Sequence, residues 1–522
     1  MGKVEAKHAV KRSKMPTDLA LLDLENLKQI PVFKSLEENE QFLRQTFKDC
    51  SDVVIRSFKI QNGPDAVVAY IDGLTNTVFV EGALRVLMVL EGNERKIGNV
   101  IKHTLPASEV KTFDNFGELF TGLLRGDTVL FVDGNACAIT LGTSLFERRN
   151  VEEPETEASI RGPREGFTEN LRTNTALIRR KLKTPKLKFK PFVVGKETNT
   201  FVLVSYLEGI ADPKLVETIA SRIEQIKIDG VLESGYIEEL IQDHKYSIFP
   251  QIQNTERPDT VAAALLEGRV AILVDGTPFV LLAPMVFWQW LQASDDYYER
   301  FYIGSLLRLL RLSFLFLALL TPAIYIALST YHQEMIPTSL LLSIAASRES
   351  IPFPAVVEAL IMELAFEALR EAGVRLPKTI GQAVSILGAL VVGTAAVEAG
   401  IVSAGMVIVV SLTGIASFTL PRYNAAISVR ILRFPLMLIA SVFGLLGIVV
   451  GVMIIIGHLS KIRSFGTPYL SPISPPFFSD LKDIFIRAPW WKMVKRPVFL
   501  KSNDQVREKE ADDEPTPNPQ NV

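Results

Sequence analysis

Of the four glutamates in the stretch 353–372, which is long enough to cross a membrane and otherwise largely apolar, three, Glu358, Glu363 and Glu367, are the candidates for chemistry. At about 100° per residue, Glu363, Glu367, Arg370 and Glu371 fall on one narrow arc of a helix, and Glu358 falls off it. A carboxylate facing hydrocarbon costs several kcal/mol unless it is solvated, neutralised or paired. Two kinds of chemistry meet that cost. In one, Glu363 and Glu367, with Glu358, line a polar path, since rings of acidic side chains favour cations. In the other, Arg370 pairs with Glu363 or Glu367 within the helix, and Arg375 pairs with Glu371 beside it. Glu398, in a turn between apolar runs, reads as a solvated loop carboxylate.

No other residue set points to chemistry. The sequence has no G-x-G-x-x-G, Walker, G-x-S-x-G or H-E-x-x-H pattern, and its five histidines are scattered without cysteines at metal spacing. Neither catalysis, a cofactor nor a metal is expected. Cys50 and Cys137 form no disulfide framework and read as reduced thiols of a cytoplasm-facing region. With 56 basic against 58 acidic residues there is no global basic field for nucleic acid.

The elements that must position the glutamates are helices in a different solvent. Most charges precede Arg311 or follow Lys461. Between them, 312–331, 379–397, 401–420 and 434–457 are apolar runs long enough, at about 1.5 Å per residue, to cross a core of roughly 30 Å. Pro322 is expected to kink the first span. In the last, Gly444, Gly447 and Gly451 present a small-residue face, with Gly447 and Gly451 in G-x-x-x-G register. The stretch 353–372 is interfacial, re-entrant or a fifth span. Arg422, Arg430 and Arg433, taken as a loop, do not settle the topology by the positive-inside rule. A Pro- and aromatic-rich segment, 461–500, with Trp490 and Trp491, suits a membrane surface, and the polar tail 501–522 reads as disordered.

Ahead of this membrane domain, 301–460, the sequence repeats itself. Leu123 to Gly134 reads LLRGDTVLFVDG and Leu265 to Gly276 reads LLEGRVAILVDG. Tyr70-Ile71-Asp72-Gly73-Leu74 and Tyr206-Leu207-Glu208-Gly209-Ile210 precede them in the same order. A basic extension and helix, 1–44, therefore leads into two related α/β subdomains, 45–145 and 191–300, followed by an all-α transmembrane bundle. The Asp-Gly pairs are expected in strand-ending turns. Pro213 to Ile226 carries apolar residues at helical spacing. The charged linker 146–190, helical over 168–183, reads either as a solvated helix or as a docking surface.

That linker also carries a resemblance. Glu155 to Leu171 reads ETEASIRGPREGFTENL. It is similar to the A subunits of the bacterial spore germinant receptors. So are Arg257-Pro258-Asp259, Asp296-Tyr297-Tyr298, Phe366 to Gly373 (FEALREAG) and Ser464 to Tyr469 (SFGTPY), over about 45–500. The resemblance implies a protein of the spore inner membrane, and a basic N-terminus with no apolar run behind it places the N-terminal region on the cytoplasmic, core side of a multi-pass chain. It implies action with a transporter-like B subunit and a lipoprotein C subunit to sense amino acids or sugars and release cations. It further implies a homo-oligomeric ring around an ion pore. A scaffold without conduction, and the paralogues linked to dipicolinic acid release, remain open. Arg161, Gly162, Pro163, Arg164, Glu165, Phe167 and Glu169, in the most specific motif, become the candidates for assembly.

Overall fold

A computed structural model describes residues 23–61, 63–89, 109–144, 153–154, 156–157, 159–375 and 393–507. The chain forms two compact units. The first comprises 1–152, 165–234 and 256–280; the second comprises 153–164, 235–255 and 281–522.

In the N-terminal part, α1 (Leu36–Thr46), β1 (Val53–Lys59), β2 (Asp65–Ile71), α2 (Thr77–Val89), β3 (Val110–Phe113), α3 (Phe116–Leu123), β4 (Thr128–Val132) and β5 (Ala138–Leu141) follow one another. The series then recurs as α4 (Leu171–Lys181), β6 (Leu187–Val194), β7 (Thr200–Leu207), α5 (Pro213–Glu224), β8 (Gln253–Thr255), α6 (Pro258–Glu267), β9 (Val270–Val274) and β10 (Val280–Ala283). Both sheets have the same order, β1-β2-β4-β5-β3 and β6-β7-β9-β10-β8. The α/β duplication read from the repeated signatures is therefore a duplication of topology. Strands β4 (TVLFV) and β9 (VAILV) are buried at every position, as continuous apolar runs in sheet interiors are.

The repeated aspartates have a structural task. Asp133 accepts the backbone N–H of Leu36 at 3.1 Å, and Asp275 accepts that of Leu171 at 3.3 Å. Each carboxylate satisfies a free donor at the start of the helix that opens its own repeat. Gly134 and Gly276 take φ of 80° and 88° in the turns that follow, a conformation that disfavours any side chain.

Two expectations about 146–190 are corrected by this equivalence. Helix α4 is the counterpart of α1, and β6 begins at Leu187, so the second repeat opens inside the stretch read as a linker. Nor is α4 a solvated helix. Asn174, Thr175, Leu177, Ile178 and Arg179 are all buried, because the helix fills the seam between the two repeats. Charge density in the sequence hid this face: the Arg179 guanidinium reaches back to Asp52, 127 residues earlier.

Cys50 lies in the same seam, its thiol donating to the Leu187 carbonyl at 3.4 Å, whereas Cys137 is exposed. Burial pushes the Cys50 thiol above its ordinary range, against the lowering influence of Arg179 and Lys188. A thiol reagent near pH 8 is therefore expected to modify Cys137 quickly and Cys50 only after unfolding. Equal labelling of both in the native chain would contradict the packed seam.

The second unit contains α7 (Phe301–Thr330), α8 (Thr338–Arg348), α9 (Ala355–Arg375), α10 (Ala404–Phe418) and α11 (Tyr423–Lys461). Helices α7 and α11 are long and apolar enough to cross a membrane, and α10 is a shorter apolar helix. The expected span 312–331 lies almost wholly in α7, and 401–420 becomes α10. The expected span 379–397 falls mostly outside the described residues, as do 1–22 and the last part of the tail.

The run 434–457 is not one continuous crossing. Gly444 takes φ 60° and ψ −141°, which breaks α11. A Cβ on Gly451 would lie 2.5 Å from Leu436, and one on Gly447 would lie 2.6 Å from the Ile439 carbonyl. Residues so far apart along a straight helix cannot meet, so the chain reverses at Gly444 into a helical hairpin. Gly447 and Gly451 let its two arms close on each other.

Candidate functional site

The three glutamates lie on α9, which packs with α7, α10 and both arms of α11 around Ala323, Ile326, Ala355, Ala359, Met406 and Met437. The stretch 353–372 is thus a helix within the bundle. It runs alongside α10 in the same direction: Glu358 meets Ser403, and Arg370 meets Ser417. Between these rungs, the Phe366 ring lies where a Cβ on Gly414 would sit, which holds the two backbones close.

Each glutamate meets an arginine. Glu358, fully buried, lies 3.1 Å from Arg348, the last residue of α8. Its other oxygen accepts both the backbone N–H and the hydroxyl of Ser403, at 3.0 and 2.9 Å. Ser403 caps α10, so the carboxylate also faces the positive end of that helix. One turn and a half further on, Glu363 accepts from Arg433 on the first arm of α11 at 2.6 Å, both side chains being under 5% exposed. Glu367 accepts from Arg430 at 2.6 Å and from Arg370 at 3.2 Å. Arg370 lies over the Phe366 and Phe418 rings, at 5.1 and 4.7 Å.

Arg433 has a second bond whose origin is Pro322. Proline has no N–H, so the carbonyl four residues earlier in α7, that of Ala318, loses its helical partner. Arg433 Nε donates to it at 2.9 Å. One guanidinium thus joins α7, α9 and α11 by satisfying a carboxylate and a carbonyl that would otherwise stand bare in an apolar bundle.

Of the residues singled out for a cation path, Glu358 and Glu363 are therefore buried behind arginines, and Glu367 alone keeps a half-exposed side chain, at 45%. Arg370 pairs with Glu367 and not with Glu363. The arginines of α11 were missed because they precede the apolar run and were assigned to a loop. The helix starts at Tyr423, which carries Arg430 and Arg433 into the bundle. One signal was available: two arginines three residues apart, opposite two glutamates four apart, is complementary spacing for antiparallel helices.

The assembly candidates divide between the two units. Arg161 lies 3.7 Å from Glu299, Arg164 pairs with Glu153 at 2.9 Å, and both side chains are largely exposed. Gly162, at φ 136°, turns the chain ahead of Pro163. Glu165 meets Arg180 and Lys181, while Phe167 is buried and donates its N–H to the Glu256 carbonyl. The Glu169 carbonyl accepts from Gly276. Glu157 lay in the same motif and was not singled out. Its carboxylate pairs with Arg422 and accepts the Thr255 hydroxyl.

A family model, the Bacillus/Clostridium GerA spore germination protein, matches residues 41–499. The chain belongs to the GerA family of spore germination proteins. It is 54% identical over 493 residues to the uncharacterized membrane protein YfkQ of Bacillus subtilis, covering 94% of this chain and 96% of that protein. Spore germination protein KA of Bacillus subtilis is 47% identical over 489 residues, covering 93% and 90%. Spore germination protein A1 of the same organism is 40% identical over 456 residues, covering 87% and 94%. Among solved structures, the N-terminal domain of the A subunit of the Bacillus megaterium spore germinant receptor GerK3 is 37% identical. It covers 49% of this chain and 97% of that one, with a TM-score of 0.40. The motif at 155–171 thus lies inside a family match that runs over residues 41–499.

Proposed function

We propose that this GerA-family chain is a subunit of a nutrient-sensing receptor in the spore inner membrane, and that its helical unit contributes to a cation path opened on germination. In this reading the helical unit lies in the bilayer and the N-terminal unit on the core side. Copies of the chain assemble with one another, with a transporter-like B subunit and with a lipoprotein C subunit.

The acid–base ladder along α9 carries the cation part of the reading. A buried ion pair adds little net stability over well-packed apolar side chains. Three successive glutamates held by arginines from α8, α9 and α11 are therefore the mark of an element with two arrangements more than of a staple. With the pairs made, the carboxylates are neutralised and those of Glu358 and Glu363 are buried; with the pairs opened, all three offer a row of oxygens to a cation. A scaffold would need the same helices but no ladder that opens.

Spores lacking the chain, and spores carrying Glu363→Gln with Glu367→Gln at unchanged protein level, test this. Potassium release after addition of amino acids and glucose is expected to fall at least tenfold in both. Normal release from the double variant, with the deletion silent, removes the cation role and leaves the scaffold. Normal nutrient response in the deletion, with dipicolinic acid release lost, places the chain with the dipicolinate-linked paralogues instead.

A further inference from the structure

At the start of α7 a cation is buried without a counter-ion. Arg487 is 3% exposed. Its backbone N–H donates to the Ser305 hydroxyl at 3.0 Å, which sets it one turn into the helix. Its guanidinium lies over the rings of Trp490 and Tyr297, at 5.2 and 6.0 Å, and NH2 donates to the Tyr297 carbonyl at 3.4 Å. Nε is buried without a partner, and NH1 makes no hydrogen bond among the described residues. The two aspartates whose charge is felt there are already committed. Asp296 accepts from Arg308 and Arg311, and Asp483 accepts from Arg308 and from the Tyr297 hydroxyl. Ring faces and one carbonyl soften the burial of a guanidinium but do not neutralise it.

The side chains around this cation face outward. Trp490 and Trp491 are 51% and 70% exposed, and Ile486, Tyr302, Ile303 and Leu306 are exposed beside them. Trp491 meets the Phe301 ring edge-on at 6.1 Å, so the aromatic group gathers where the long apolar helix begins. Aromatic and apolar side chains at that level suit the boundary between hydrocarbon and headgroups. Hydrocarbon satisfies the rings and not the guanidinium. Two more cations without a carboxylate partner among the described residues flank the group. Arg300, directly ahead of Phe301, donates to the Tyr302 hydroxyl at 2.9 Å, and Lys492, directly after Trp491, is exposed.

We infer that the start of α7, with Arg487 at its centre, binds the phosphodiester of an anionic phospholipid whose acyl chains lie along Trp490, Trp491 and the exposed first turns of the helix. The Arg487 guanidinium still has donors free for phosphate oxygens, and charge-assisted bonds of that kind are strong. Stacked against two rings, it loses little side-chain freedom on binding. Arg300 and Lys492 add the charge that disfavours a headgroup carrying a cation of its own. The inference rests on the reading that the helical unit lies in the bilayer.

Tryptophan fluorescence of the full-length chain in lipid nanodiscs tests the site, with phosphatidylglycerol or phosphatidylcholine brominated near the headgroup end of the acyl chain. At equal mole fraction and in high salt, brominated phosphatidylglycerol is expected to quench at least threefold more strongly than brominated phosphatidylcholine. High salt screens exposed charges, so the preference that persists belongs to the buried cation. Trp490→Phe/Trp491→Phe should abolish the difference, which separates this site from Trp288 and Trp290. Arg487→Gln should make the two lipids quench alike, with the phosphatidylcholine value unchanged. Lys492→Gln, at an exposed side chain, should lower the preference and serves if Arg487→Gln does not fold; an unchanged preference there counts against the site. Inorganic phosphate should not reduce the preference, and if it abolishes it the site takes a free anion and not a lipid. Equal quenching by the two lipids in the parent chain, or a preference that survives Arg487→Gln, overturns the headgroup site and leaves the bilayer reading standing. No quenching by either lipid removes the bilayer reading, and the site with it.

Discussion

Replacing Arg179 with leucine is expected to destabilise the N-terminal unit by about 3–5 kcal/mol, the usual cost of stranding one member of a buried ion pair. Asp52 and Arg179 are 1% and 0% exposed at their side chains. Arg179 donates from Nε and NH2 to the two carboxylate oxygens of Asp52, both at 2.9 Å, and from NH1 to the Thr184 carbonyl at 3.2 Å. Its guanidinium also lies over the Phe189 ring at 5.2 Å. Burial alone would lower the Arg179 pKa, but the facing Asp52 charge more than offsets it and holds the group above its ordinary value. Leucine fills much of the volume but leaves Asp52 without its cation in a buried seam. The double variant Asp52→Leu/Arg179→Leu leaves no charged partner stranded, only the Thr184 carbonyl without its donor, and should lose clearly less than Arg179→Leu alone, a non-additivity that marks direct coupling. Arg164→Ala, which removes an exposed pair of similar length, is the control and should cost less than about 1 kcal/mol. Chemical unfolding of the full chain, followed by Cys50 labelling as the seam opens, reads all three. A loss below about 1 kcal/mol for Arg179→Leu would mean that the repeats are joined by something other than this pair.

What the sequence made legible, and what it did not, follows the range of the interactions. The duplication was legible because each repeat brings its own local signals: an apolar strand, then Asp-Gly at a turn needing positive φ, at matching positions 133–134 and 275–276. Helix α5 was legible from its apolar spacing, expected over 213–226 and found at Pro213–Glu224. The partners of the charged residues were not legible. Glu363 and Arg433 are 70 residues apart, and Glu157 and Arg422 are 265 apart. No period or motif links such positions before the helices are packed. Intrahelical pairing, the alternative that spacing does offer, proved right for Arg370 with Glu367 and missed Arg433 and Arg430 of α11, which meet Glu363 and Glu367. The hairpin was hidden for a related reason. A glycine in an apolar run is common, and its φ of 60° at Gly444 is set by the neighbours it must avoid: a Cβ there would lie 2.7 Å from His332.

Arg433→Leu is expected to have the largest effect of any single change in the helical unit, because two groups lose their partner at once. Glu363 would be stranded without its cation among buried side chains such as Ala359 and Met362, and breaking a buried pair by removing one partner costs about 3–5 kcal/mol. The Ala318 carbonyl, which Pro322 prevents from bonding within α7, would add about 1–3 kcal/mol as a bare buried acceptor. Glu363→Gln is the milder change, since the amide oxygen still accepts from Arg433 and neither helix loses a bond. The two variants should therefore differ in kind. Glu363→Gln should leave folding near the parent and blunt nutrient-triggered cation release. Arg433→Leu should loosen α7, α9 and α11 together and let potassium escape before any nutrient is added. Glu363→Leu/Arg433→Leu separates stability from function. With the carboxylate gone, most of the lost stability should return, while on the proposed cation reading the nutrient response should stay absent, because the pair proposed to open is no longer there. Resting potassium content of dormant spores, measured beside protein level, distinguishes these cases. If Arg433→Leu spores hold their potassium, and the chain unfolds within about 1 kcal/mol of the parent, the ladder is neither latch nor staple. If the double variant regains both stability and nutrient response, the pair is a packing feature and the cation path lies elsewhere.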